Sequence, residues 1–118
     1  MNQPNARTQV GPRQLTIVAL TIATALIHIV LAIGTSDLTT KVMFTLNSLG
    51  YLALVTALYL PPLASYRRRV RWALLAYTAV TILGWVAVGE RSPTGYLDKA
   101  IEVALLVLLF LEARQPEA

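Results

Sequence analysis

The sequence predicts an all-α integral membrane protein, an antiparallel four-helix bundle in which each helix crosses the bilayer. Three observations point there. The 118-residue chain is 56% apolar and only 14% charged. Soluble domains carry about 25% charged residues, and a soluble fold this small would leave much of its chain facing water. The apolar residues gather into four runs, 15–33, 42–60, 70–88 and 96–113. Each approaches the ~20 residues that a helix needs to cross ~30 Å of hydrocarbon. The runs are continuously apolar and rich in Leu and Ala, unlike the alternating ~10-residue segments of a membrane barrel. A soluble enzyme, a disordered chain and a nucleic-acid-binding module are thereby excluded as leading readings.

Each run is bounded by residues that start or stop helices. Gly11-Pro12 precedes the first, whose one ionisable residue is His28, and Gly34-Thr35-Ser36-Asp37 follows it. Ser36 or Asp37 is placed to cap the second, whose most polar member is Asn47. Pro61-Pro62 stops it, because proline lacks an amide hydrogen and clashes with the preceding turn. The third run opens next to Arg67, Arg68, Arg69 and Arg71, which read as a loop, and ends at Gly89. Thr94 is placed to cap the fourth, which holds Asp98, Lys99, Glu102 and Glu112 and is the least comfortable in lipid. Short connections predict that consecutive helices are antiparallel neighbours. Residues 1–14 and 114–118 read as cytoplasmic tails, the first disordered, around a single domain at 15–113.

Basic residues set the direction. With the amino terminus inside, the inner segments hold Arg7, Arg13, Arg67, Arg68, Arg69, Arg71 and Arg114, and the outer ones Lys41, Arg91 and Lys99. Positive charge retards translocation, so seven against three favours a cell-membrane protein with both termini in the cytoplasm. Tyr59, Tyr66 and Trp72 then fit the inner interface, Trp85 and Tyr96 the outer. A signal peptide is the rival for the first run, but its apolar core of about 19 residues exceeds the usual ~7–15.

Depth singles out a few polar positions. His28 lies six residues before Gly34, Asn47 six beyond Lys41 and Glu102 six beyond Tyr96, each about 9 Å below the outer boundary. Tyr51 is one turn deeper than Asn47. On the first helix Thr21, Thr24, Ala25, His28 and Ala32 form one stripe of small and polar residues, a pattern that faces other helices. Glu102 follows Asp98 by four residues and Lys99 by three, spacings that let the side chains meet. Ionisable residues inside a membrane are functional candidates by default, so His28, Asn47, Tyr51, Asp98, Lys99 and Glu102 form the candidate polar cluster. The plainer reading is that they fasten the bundle. Arg67, Arg68, Arg69 and Arg71 are candidates for anionic headgroup contact, although topology alone accounts for them.

No other chemistry is indicated. There is no cysteine, hence no disulfide or thiol nucleophile, and no GxSxG, HExxH, P-loop or dinucleotide pattern. One histidine and two carboxylates match no recognised ligand spacing, so neither metal nor cofactor is expected, and the chain does not read as an enzyme.

The segments Ile27-His28-Ile29-Val30-Leu31-Ala32-Ile33-Gly34, Leu49-Gly50-Tyr51 and Tyr96-Leu97-Asp98-Lys99-Ala100-Ile101-Glu102-Val103-Ala104-Leu105-Leu106 resemble a family of uncharacterised small four-helix integral membrane proteins, a domain of unknown function found mainly in halophilic archaea and some bacteria. The resemblance spans residues 15–113 and implies the same four-helix fold without supplying an activity. Archaeal members tend to carry Gln where this chain has Glu102, which implies that catalysis or proton carriage is not general there. Small multidrug transporters are similar in length and helix count, but their intramembrane glutamate lies in the first helix, where this chain has His28. That likeness is architectural. The expected role is a non-catalytic accessory or scaffolding subunit in contact with the lipid bilayer, packing against itself or a larger membrane complex. The alternative is a small oligomeric transporter or channel using His28, Asn47 and Glu102.

Overall fold

The computed structural model describes residues 11–89 and 91–114. Among these every regular element is helical: α1 (Pro12–Gly34), α2 (Leu38–Tyr59), a short 3₁₀ segment (Pro61–Tyr66), α3 (Arg67–Val88) and α4 (Pro93–Arg114). α1, α2 and the segment Pro61–Val88 are long and apolar enough to cross a membrane. α4 is as long but carries Asp98, Lys99, Glu102, Glu112 and Arg114. The helices pack in a ring, α1 against α2 and α4, and α3 against α2 and α4.

The helix ends correct several expectations. α1 starts at Pro12, three residues early, so residues 12–14 are helix and not tail; the rest of the expected tail, 1–10, lies outside the described residues, as do 115–118. Proline at the first helical position brings a preset φ and lacks only a hydrogen that would have gone unused, and the Gly11 amide donates to Gln14 Oε1 at 2.9 Å. Asp37 caps α2, accepting from the Thr40 amide at 2.9 Å. Pro61-Pro62 ends α2 and opens the 3₁₀ segment, where proline is tolerated for the same reason. The basic run is not a loop, since α3 begins at Arg67. Thr94 is not the cap of α4; the Ser92 hydroxyl accepts from the Gly95 amide at 3.0 Å, because α4 begins at Pro93, two residues earlier than a Thr94 cap would place it.

Basic residues also close the other ends. Lys41 Nζ donates to Ala32 O at 2.8 Å, Arg67 Nε to Leu58 O at 2.8 Å, and Arg91 to Trp85 O and Val86 O at 3.0 and 2.8 Å. Each satisfies carbonyls at the end of the preceding helix, where partial negative charge collects. Arg91 also stacks over Trp85, 4.1 Å from its ring centre.

The core is built from Ile17, Tyr51, Leu58, Leu74, Leu105 and Leu109 and runs from mid-length toward the end where α1 starts and α2 stops. The small and polar stripe of α1 faces inward as its spacing requires: Thr21, Thr24, Ala25, His28 and Ala32 are all buried. Outward positions such as Leu26, Val30, Leu46, Val80, Leu83 and Val103 are exposed. Gly50 lets α3 approach α2; a Cβ there would stand 2.1 Å from the Tyr77 hydroxyl.

Candidate functional site

The helix ring buries ionisable side chains in two places. The first lies around Glu102. The i, i+3 and i, i+4 spacings of α4 put Asp98, Lys99 and Glu102 on one face, and α1, with Tyr51 reaching across from α2, closes that face off. Glu102 is 0% exposed, Asp98 1%, His28 4% and Lys99 8%.

Every carboxylate oxygen there has a partner. Tyr51 donates its hydroxyl to Glu102 Oε2 at 2.8 Å. The Thr24 hydroxyl donates to Asp98 Oδ1 at 2.5 Å, with Glu102 Oε2 a second acceptor at 3.2 Å. Lys99 Nζ bridges the remaining oxygens, Glu102 Oε1 and, at 3.1 Å, Asp98 Oδ2. His28 Nδ1 lies 2.8 Å from Thr24 O. A carbonyl only accepts, so Nδ1 carries the hydrogen. Nε2 faces Asp98 Oδ2 at 3.7 Å, beyond hydrogen-bond length. Phe44 and Tyr51 hold the imidazole ring, with centroids at 5.7 and 6.3 Å.

Five of the six polar residues singled out in the sequence thus meet: His28, Tyr51, Asp98, Lys99 and Glu102. Asn47 does not join them. Its side-chain amide donates to Thr81 Oγ1 at 3.0 Å and its backbone carbonyl accepts from the Tyr77 hydroxyl at 2.9 Å, fastening α2 to α3. Thr24 is an addition at the centre of the network; its place one turn before His28 on the small and polar stripe was the available signal.

The second place lies around Glu112, ten residues further along α4 and so about 15 Å away. Glu112 Oε2 accepts from Gln14 Nε2 at 2.7 Å and from Arg13 at 3.3 Å, and its other oxygen lies 3.9 Å from Arg71 Nε. Arg71, read from the sequence as a headgroup contact, is buried against this carboxylate. Its place one turn into α3 turns it inward. Arg67 caps α2, while Arg68 and Arg69 are exposed.

Between the two clusters lie Leu105 and Leu109 of α4, packed with Ile17, Leu58 and Leu74. A groove between α1 and α2, lined by Val18, Ile22, Leu52, Val55 and Tyr59 among others, holds no member of either charged cluster. Ser48, the serine nearest His28 in depth, has a buried hydroxyl with no hydrogen-bond partner, so no base activates it.

No family model matches the chain, and no curated protein or solved structure is similar to it by either comparison.

Proposed function

We propose that the chain is a multi-pass membrane protein, an antiparallel four-helix transmembrane bundle with both termini in the cytoplasm, acting as a non-catalytic accessory or scaffolding subunit. The observation that supports this reading is the placing of its buried charge. Glu112 sits two residues from the end of α4 and the Glu102 cluster about 15 Å away in the half of α4 that starts at Pro93, and fully buried Leu and Ile side chains lie between them. A conducting path needs polar groups or water at every depth, since a charge in hydrocarbon is costly. Buried carboxylates that close on hydroxyls and cations of neighbouring helices instead tie those helices together. The exposed Leu, Val and Ile side chains suit contact with lipid or with a membrane partner.

The second reading is a small oligomeric transporter or channel, favoured by the intramembrane carboxylates themselves. Reconstitution separates the two. Vesicles containing the chain are expected to hold proton and potassium gradients as long as empty vesicles do. A leak that Glu102→Gln and His28→Ala both abolish, at unchanged folded yield, would establish the transporter instead. Native purification as a monomer with nothing bound would count against the subunit reading.

A further inference from the structure

The Glu102 cluster has a feature that fastening alone does not require. Each of its three potential ligand residues has one polar atom held by a neutral partner and one left for a cation. His28 Nδ1 is committed to Thr24 O, Asp98 Oδ1 to the Thr24 hydroxyl and Glu102 Oε2 to the Tyr51 hydroxyl. The remaining atoms are His28 Nε2, Asp98 Oδ2 and Glu102 Oε1. The two oxygens are taken by the ammonium of Lys99, and His28 Nε2 faces Asp98 Oδ2 at 3.7 Å, beyond hydrogen-bond length. Each of the three residues offers a ligating atom within 4.8 Å of one from each of the others.

Outer hydrogen bonds of this kind fix the tautomer of a ligating histidine and aim ligating carboxylates. Charge points the same way. Asp98 and Glu102 bring two carboxylates against the single ammonium of Lys99. A divalent cation in place of the ammonium would cancel both carboxylates. Lys99 sits six residues into α4, near the end of the bundle, and its flexible stem can carry the ammonium out to the polar boundary. Ligands 2.0–2.2 Å from a tetrahedral metal lie about 3.4 Å apart, so closing the site asks the three side chains to draw together.

We propose that His28 Nε2, Asp98 Oδ2 and Glu102 Oε1 form a binding site for a divalent transition-metal cation of the zinc or cobalt type, with Lys99 as a tethered cation that occupies it until the metal enters. The donor set of one imidazole and two carboxylates, without sulfur, suits such ions. The site goes beyond the subunit role and does not depend on it, because binding is read without a partner or a gradient.

The test uses the full chain in detergent micelles, free of any histidine tag, titrated with Co²⁺. One equivalent is expected to bind saturably. His28→Gln weakens binding about tenfold or more, and Lys99→Met, which removes the competing ammonium, tightens it by about as much. His28 is the single histidine of the chain, so the loaded wild type shows one paramagnetically shifted, exchangeable imidazole proton in its NMR spectrum. That readout stands even if a variant does not fold. Absence of saturable binding to the wild type, equal affinity in His28→Gln, or binding with no shifted imidazole proton each overturns the proposal. A histidine that titrates with pH but never responds to Co²⁺ overturns it as well, leaving a proton as the only ligand.

Discussion

The two buried clusters use the same chemistry in opposite proportion. Around Glu112 one carboxylate faces three donors, Arg13, Gln14 and Arg71. Around Glu102 two carboxylates face one ammonium, two hydroxyls and an imidazole whose Nε2 makes no hydrogen bond. A carboxylate with surplus donors has nothing left to bind and acts as a fastener. A cluster short of positive charge has room for one more cation, whether proton or metal. The difference teaches that burial alone does not mark a site within a membrane bundle. The balance of charge and the count of open lone pairs do.

The largest effect should come from breaking the fastener. Glu112→Leu removes the acceptor shared by Arg13, Gln14 and Arg71 and is expected to cost about 3 kcal/mol of stability, as removal of one partner from a buried ion pair does. Glu102→Gln keeps an acceptor for Lys99 or Tyr51 and leaves Asp98 as the carboxylate partner of Lys99, so it should cost less than about 1 kcal/mol. Denaturant unfolding of both variants in the same micelles measures the pair. Equal losses would dissolve the distinction between the clusters.

Thr24 offers a finer cut within the Glu102 cluster. Its hydroxyl is the link from α1 to Asp98 and Glu102, whereas the hydroxyls of Thr21 and Thr78 turn back to carbonyls of their own helices, at 2.7 and 2.9 Å. Thr24→Val should therefore destabilise by about 1–2 kcal/mol. Thr21→Val and Thr78→Val should lie within about 0.5 kcal/mol of the wild type, since such back-bonding contributes little to a helix. A loss at Thr78 as large as at Thr24 would show that packing rather than the cross-helix bond sets the scale.

Much of this was legible before any coordinates, and the limits have physical causes. The four helices follow from apolar run length, and their ends were missed by a few residues because proline, glycine and capping side chains extend helices past their apolar windows. Asp98, Lys99 and Glu102 share a face by helical spacing alone, and His28 is marked by the small residues beside it. Asn47 was misplaced because depth is one coordinate and facing is another. Six residues from the boundary fits either neighbour, and the close approach of Tyr77 over Gly50 turns it toward α3. Glu112 carries no local mark of a site, since a charge near a helix end reads as solvated. Its burial depends on Arg13 and Arg71 arriving from two other helices, which no local pattern records.

The smallest expected effect belongs to a pair that repeats the Thr24–Asp98 contact in water. The Thr40 hydroxyl donates to Asp37 Oδ2 at 2.5 Å, the same length as the Thr24–Asp98 bond, but both residues lie at the exposed start of α2. That hydroxyl and, after it, the Thr40 amide hold the Asp37 carboxyl below its ordinary value of 3.8. A lowered value in the folded state means that the cap contributes fully above the unfolded value and is lost as pH falls through the folded one. Between about pH 6 and about pH 3 the hydrogen-exchange protection of the Thr40 amide should therefore decline, and Asp37→Asn should remove that pH dependence. The unfolding midpoint should not move in Thr40→Val, because water replaces the lost partner, while Thr24→Val shifts it. Two bonds of one length would then differ only through their surroundings. A Thr40→Val loss matching that of Thr24→Val would mean that burial adds nothing to the Glu102 cluster.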